Sequence, residues 1–287
     1  AVGANTLDDN TTGAENTAVG SEALSANTTA SYNTAVGGDA LKDNVTGGQN
    51  AAFGYKALEN NTTNNNTAFG AYAASLTTTG GDNTAVGQAA LYTNTTGTNN
   101  TAIGLKALYL ATTASNNTAV GKDALYSNTT GTRNVAVGAL ALDANTTADR
   151  NTAMGWQAMT TNTTGAYNTA LGDATLENNS TGSYNVAIGQ AALAQNTTAN
   201  ENVAVGHGAL DANTTGAENT AVGTGALSAN TTSNYNTAVG RQCLLQNTGA
   251  DNTGLGFEAG ENNSTGSYNI YLGFRAGLNV TTGNNNF

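Results

Sequence analysis

The chain has 287 residues and a formal net charge of −11, and only 9% of its residues are charged. Alanine is the commonest of its hydrophobic residues and proline is absent, so a wide globular core is excluded and a thin one is predicted. The eight scattered basic residues disfavour nucleic acid as a partner, and no apolar run reaches the ~20 residues that span a bilayer.

A repeat of about 17 residues covers the whole chain and predicts a single continuous array over residues 1–287, with no domain boundary. Its consensus is N-T-A-V-G-x-x-A-L-x-x-N-T-T-G-x-x. We use the glycine that ends each NTAVG-like segment as the marker of the repeat. The marker glycines are Gly3, Gly20, Gly37, Gly54, Gly70, Gly87, Gly104, Gly121, Gly138, Gly155, Gly172, Gly189, Gly206, Gly223, Gly240, Gly256 and Gly273. Two of the steps, Gly54 to Gly70 and Gly240 to Gly256, are 16 residues long.

The N-T-A-V segment predicts a short β-strand, in which Thr and Val share one face while Asn and Ala share the other. The residue before the marker glycine is apolar in every repeat, as in Val19, Ile103 and Leu171. We therefore expect the Val and Thr side chains to point into the coil. Alanine leaves room for close approach, either by another wall of the same coil or by a second chain.

The asparagine that begins this strand is invariant within the array, which indicates burial and a ladder of amide hydrogen bonds from coil to coil. We call these residues the strand-start asparagines. They are Asn16, Asn33, Asn50, Asn66, Asn83, Asn100, Asn117, Asn134, Asn151, Asn168, Asn185, Asn202, Asn219, Asn236, Asn252 and Asn269.

The A-L-x-x-N-T segment predicts a second strand, with a small and an apolar position side by side, as in Ala23 and Leu24. Glycine and asparagine supply the turns because both tolerate positive φ. The frequent Gly and Asn exclude helix. The fold predicted is therefore all-β: a β-solenoid, or β-roll, of 17 coils with two short strands per coil. At ~4.8 Å per coil, these would form a rod of roughly 80 Å.

One coil buries too little apolar surface to fold alone, which favours a homo-oligomer, a homotrimer or filament, with the Asn/Ala face as the interface between chains. The residues at the two ends join in phase with the repeat. That phase fits a segment cut from a longer array, and it equally fits a protomer that stacks head to tail.

The N-T-T segments create N-x-S/T sequons, which fit two interpretations: hydrogen-bonded turns, or attachment of sugars. Glycans on every coil would crowd one another at ~4.8 Å spacing. The candidate glycosylation sites are Asn27, Asn94, Asn128, Asn145, Asn162, Asn196, Asn213 and Asn230.

No catalytic, cofactor-binding or metal site is predicted. His207 is the one histidine and follows a marker glycine, so we expect an exposed turn residue rather than part of a catalytic triad. Trp156 occupies the same repeat position, and a surface tryptophan could contact a glycan. Cys243 stands in the small Ala position, which predicts a buried alanine substitute. The carboxylates fall mostly in variable positions, where solvent exposure is the default.

Segments such as Asn100–Gly104 and Asn185–Gly189 resemble the repeats of trimeric autotransporter adhesin heads and of phage tail-fibre shafts. The resemblance covers the whole chain, but its motif is short, and adhesin repeats are somewhat shorter than this one. It implies a fibrous, trimeric β-roll exposed on a cell or virion surface. The membrane anchor, coiled-coil stalk and chaperone domain of those families are not found in this sequence.

The sequence thus predicts a non-enzymatic extracellular fibre, an adhesin or tail-fibre shaft of stacked coils that associates with itself. The alternative is a surface-binding solenoid whose Thr column binds ice, or a glycan of a host or other surface. A solenoid enzyme would need a cluster of carboxylates or a histidine on one face, and no such cluster is found.

Overall fold

The computed structural model describes residues 1–287 as an all-β parallel solenoid whose coils repeat about every 17 residues. It comprises two units, Ala1–Ala148 and Asp149–Phe287. Each coil contributes one strand of three residues. In the first unit the strands are β1 (Thr17–Val19), β2 (Thr34–Val36), β3 (Ala51–Phe53), β4 (Thr67–Phe69), β5 (Thr84–Val86), β6 (Thr101–Ile103), β7 (Thr118–Val120) and β8 (Val135–Val137).

The second unit repeats the same arrangement. Its strands are β9 (Thr152–Met154), β10 (Thr169–Leu171), β11 (Val186–Ile188), β12 (Val203–Val205), β13 (Thr220–Val222), β14 (Thr237–Val239), β15 (Thr253–Leu255) and β16 (Ile270–Leu272). Within each unit every strand pairs in parallel with the next. The register is in phase with the repeat, as in Thr84 with Thr101 and Val203 with Thr220.

Seventeen coils were predicted, and the structure has 16 strands. The first N-terminal segment forms only an isolated bridge, between Val2 and Val19, instead of a strand. The second predicted strand is also wrong. Leu24 has a φ of 52°, in the left-handed region, and turns replace the strand there. In these turns the N–H of Asn27 donates to the carbonyl of Leu24 within the coil, while the N–H of Leu24 donates to Ala40 of the next coil. Both Ala23 and Leu24 are buried, which the alternating faces of a strand would not allow.

The interior is formed by three columns of apolar side chains. They are the central alanine of each strand, the small residue three positions after the marker glycine, and the leucine that follows it. Ala102, Ala107 and Leu108 are representative, and each is completely buried. The predicted burial of the small and Leu columns is therefore confirmed. The expectation that Val points inward is wrong, because the strands bury their central residue, whereas the two that flank it are half-buried or exposed.

A tyrosine replaces alanine at the centre of β16 and explains why the Leu column lapses to glycine nearby. Tyr271 is 3% exposed. A Cβ on Gly260 would lie 2.8 Å from Cε2 of this ring, and one on Gly277 would overlap the ring. The tyrosine therefore occupies the space that two leucines fill in other coils.

A larger residue is likewise matched by a smaller neighbour at Cys243 and Gly254. Gly254 replaces alanine at the centre of β15, and Cys243 stands in the small Ala position. A methyl group at Gly254 would collide with Sγ of Cys243 and lie 3.1 Å from Cγ of Leu244. We expect Gly254→Ala to destabilise the protein by about 2 kcal/mol, because overpacking a filled core forces side chains and backbone to shift. Adding Cys243→Ala should restore stability, since it recreates the alanine pairing of Ala226 with Ala238. Chemical unfolding of both single variants and the double variant measures this coupling, and additive effects would contradict it.

Candidate functional site

Two surfaces could engage a partner. The strand face consists of the first and third side chains of each strand, which are Thr and Val in the consensus. The variable face consists of the side chains at the first, second and fifth positions after each marker glycine. The backbone under both surfaces is repeated from coil to coil, so differences between coils lie in the side chains.

The strand-start asparagines form the predicted ladder, and all are buried except Asn16, which is half-buried; most of the ladder bonds are to backbone. Asn185 shows the pattern. Its Oδ1 accepts from the N–H of Asn202 at 3.0 Å, and its Nδ2 donates to the carbonyl of Ala199 at 2.9 Å and to Oδ1 of Asn168 at 3.2 Å. The Asn/Ala face is thus the interior of the chain. It cannot be the interface between chains, and that expectation is wrong.

A second asparagine ladder lies in the N-T-T turns. We call its members the turn asparagines. In the second unit, Nδ2 of Asn196 donates to Oδ1 of Asn179 at 2.8 Å, and Nδ2 of Asn179 donates to Oδ1 of Asn162 at 2.8 Å. Each also donates to a carbonyl three residues ahead, as Asn196 does to Ala199 at 3.1 Å. The hydroxyl of the following threonine, Thr197, donates to the next coil.

The candidate glycosylation sites are all turn asparagines, and every one is 0% exposed. Because the hydrogen-bonded Nδ2 is the atom that would carry the sugar, we do not expect glycans on the folded coils. These eight residues are Asn27, Asn94, Asn128, Asn145, Asn162, Asn196, Asn213 and Asn230.

The two 16-residue coils are accommodated in this turn. Asn61 and Asn247 donate to a carbonyl two residues ahead, at 2.8 Å in both cases, instead of three. The two asparagine columns then bond directly to each other, with Asn66 Nδ2 3.0 Å from Asn61 Oδ1. Loss of one residue is therefore accommodated at the expense of one ladder bond per coil, because Oδ1 of Asn44 and Oδ1 of Asn230 are left buried without a partner.

The strand face is the more apolar of the two surfaces. Its Val column contains bulky side chains that are more than a third exposed. They include Val19, Phe69, Ile103, Met154, Leu171, Ile188, Leu255 and Leu272. The Thr column beside it, which we expected to point inward, also faces outward and is half-buried or exposed. Soluble proteins rarely expose a contiguous apolar stripe unless it contacts a partner.

The variable face of the first unit carries a tyrosine cluster that sequence reasoning missed. Tyr92, Tyr109 and Tyr126 stack with ring centroids 5.3 and 5.2 Å apart, and Tyr72 meets Tyr92 edge to face. Lys106 lies 5.6 Å from the centroid of Tyr109. The signal was the recurrence of tyrosine at one repeat position in three consecutive coils. Stacked pairs of this kind add about 0.5–1.5 kcal/mol each to the stability of neighbouring coils.

Charged side chains on the variable face pair both within coils and between them. Nζ of Lys42 lies 2.5 Å from Oε2 of Glu22, and this hydrogen bond raises the pKa of Lys42. In the second unit, Nε of Arg275 lies 2.6 Å from Oε2 of Glu258, and Arg241 is 3.9 Å from the same carboxylate. No group of three or more His, Cys, Asp or Glu side chains converges on a common point.

The singled-out residues do not form a common site. His207 and Trp156 are exposed on the variable face at separate coils, in agreement with their turn position. Cys243 is buried, and burial raises the pKa of its thiol to about 11, as expected for an alanine substitute. The chain has no helix with the length and apolarity needed to cross a bilayer. Comparison with protein-family models and with curated proteins finds no match for this chain.

Proposed function

We propose that the chain is a structural protein, the shaft of an extracellular fibre, adhesin or tail fibre, in which copies associate through their strand faces. The exposed apolar column on the strand face is the observation that supports this most directly. The interior offers nothing to a second chain, because its alanine, leucine and asparagine columns are already buried within one chain.

The partner best suited to the strand face is a second copy of the same chain. Thr and Val columns recur at one coil spacing, so two or three such faces can be laid together with the same contact repeated at every coil. A repeated contact suits a symmetric assembly, which is closed in the predicted homotrimer and open in a filament.

Self-association can be tested with three lysines placed on the strand face of the first unit. We expect the wild-type chain to sediment as a multiple of 28.6 kDa. Val86→Lys, Ile103→Lys and Val120→Lys together should weaken association by about a hundredfold or more, because like charges would meet across the interface. Circular dichroism should show the fold unchanged, because these side chains already face outward.

The matched control adds three lysines to the variable face: Gln88→Lys, Leu105→Lys and Ala139→Lys. It changes the net charge equally and should leave the assembly intact. A wild-type chain that remains at 28.6 kDa across all concentrations would overturn the proposal. So would equal dissociation of both triple variants.

The outward Thr column also favours a second candidate, a solenoid that binds ice or a glycan on its strand face. Thr84, Thr101 and Thr118 lie in register on adjacent strands. Against it, Phe69, Met154 and Leu171 interrupt the regular surface that a lattice would require. Thermal hysteresis in the wild-type protein, lost in the strand-face triple variant, would support this candidate; its absence would remove ice binding.

A further inference from the structure

Two glycines open a cleft on the variable face of the second unit. Gly208 and Gly225 occupy the second position after the marker glycine in consecutive coils, with φ of 61° and 65°. The same position holds Gln157 and Gln242 at φ of 53° and 54°. Since other coils adopt this conformation with a side chain present, the backbone does not require glycine here. What these glycines change is therefore the space that a side chain would fill in other coils.

The space left by the glycines is a cleft of about 180 Å³. A Cβ on Gly208 would find only Oδ2 of Asp211, at 4.0 Å. The cleft is smaller than the pockets that take drug-sized ligands, so it suits a single small ring. The groups that line it include His207, Asp211, Thr224, Ser228, Gln242 and Leu245.

Asp211 faces this cleft without the donor that the corresponding carboxylate has elsewhere. In another coil, the residues at the second and fifth positions after the marker glycine form an ion pair: Nζ of Lys56 lies 2.9 Å from Oε1 of Glu59. At Asp211 the second position is Gly208, and Oδ1 of Asp211 is buried without a hydrogen-bond partner. Desolvation raises the pKa of Asp211, against the opposing effect of backbone hydrogen bonds and His207. Oδ1 itself is not accessible from the cleft, whereas Oδ2 lies 4.0 Å from the Cβ position of Gly208, beside the open space, and can accept a hydrogen bond from a ligand there.

The other lining groups indicate a neutral, hydroxyl-rich ligand. Thr224, Ser228 and Gln242 can each donate and accept hydrogen bonds, while Leu245 offers an apolar contact to C–H groups. An anionic ligand is disfavoured, because it would face Asp211. The one guanidinium at the cleft, that of Arg241, lies near Glu258 and over the ring of Phe257.

We propose that this cleft binds one neutral sugar ring, with Oδ2 of Asp211 accepting a hydrogen bond from a ring hydroxyl and Leu245 contacting the C–H face. The site is independent of the strand face and of self-association. It would give a structural shaft a specific carbohydrate contact on the surface that does not join copies.

Saturation-transfer difference NMR on the assembled protein tests this, because the method detects weak ligands of large particles. We expect at least one of glucose, galactose, mannose and N-acetylglucosamine to bind with a dissociation constant of about 1 mM. Gly208→Gln should abolish the signal by filling the cleft. Asp211→Asn should weaken binding about tenfold, since hydrogen bonds to a charged acceptor are the stronger ones.

Ala174→Gln is the matched control, because it adds the same side chain at the same repeat position two coils earlier and should leave binding unchanged. Methyl glycosides that bind as well as the free sugars identify the ligand as the terminal ring of a glycan. Binding of the reducing sugars alone identifies a free monosaccharide. The proposal is overturned if no neutral sugar binds, if Gly208→Gln binds undiminished, or if glucuronate binds more tightly than glucose.

Discussion

Gly104→Ala is expected to destabilise the solenoid by more than about 4 kcal/mol, a loss large enough to separate adjacent coils. Gly104 has a φ of 136°, which alanine adopts only with strain. A Cβ there would lie 2.6 Å from the carbonyl carbon of Gly121 and closer still to its oxygen. Both atoms belong to the backbone of the next marker glycine, so no side chain can move aside to relieve the contact.

Hydrogen exchange gives the sharpest readout, because stacked repeats unfold progressively rather than all at once. The N–H of Gly121, which donates to Ile103 at 2.8 Å, should lose most of its protection. Gly38→Ala serves as the control, because its φ is not positive and the nearest atom to the new methyl is a ring carbon of Tyr55 at 3.4 Å. Similar effects for the two variants would mean that the marker glycines are not required by the backbone.

Asn185→Ala is expected to cost about 3 kcal/mol, because a buried donor left without a partner costs about 1–3 kcal/mol beyond the bonds lost. The N–H of Asn202 would lose its acceptor, since it donates to Oδ1 of Asn185. The carbonyl of Ala199 would keep one donor, Nδ2 of Asn196 at 3.1 Å. The main unsatisfied group is therefore the backbone N–H of Asn202, where hydrogen exchange should accelerate.

Asn178→Ala is the control within the same coil. Asn178 makes only a surface hydrogen bond to Gln195, so its loss should change the free energy of unfolding by less than about 0.5 kcal/mol. Chemical unfolding of both variants provides the comparison. If Asn185→Ala were as stable as Asn178→Ala, the asparagine ladder would be a by-product of the turn rather than a support of the fold.

Much of the architecture could be predicted from the repeat alone. Equal spacing of the marker glycines predicts that like residues pair in register, and Thr84 does pair with Thr101. The constancy of the strand-start asparagines predicted their burial. Alternation placed Thr with Val and Asn with Ala, but alternation alone does not say which face is inside. Val was placed inside because it is apolar, whereas the coil interior has room only for alanine, asparagine and leucine.

The second strand could not be predicted correctly from hydrophobic pattern, because a turn of alternating left-handed residues also buries an apolar pair. The adjacent small and apolar columns, as at Ala107 and Leu108, were the available clue, since a strand would place two neighbouring residues on opposite faces. The cleft at Gly208 and Gly225 was hidden for another reason. Glycine is the expected residue at positive φ, and only the structure shows that neighbouring coils manage without it.

The contacts between successive coils are the same along the array, and this affects how a gene for such a protein can change. Val203 pairs with Thr220 in the same way as Thr220 pairs with Thr237. Removal of one whole 17-residue repeat would therefore join two coils whose surfaces already match. Unequal recombination between copies could therefore lengthen or shorten the protein without a poorly folded intermediate. The shortened turn at Asn61 shows that even a single-codon loss can be absorbed where two columns of amides meet.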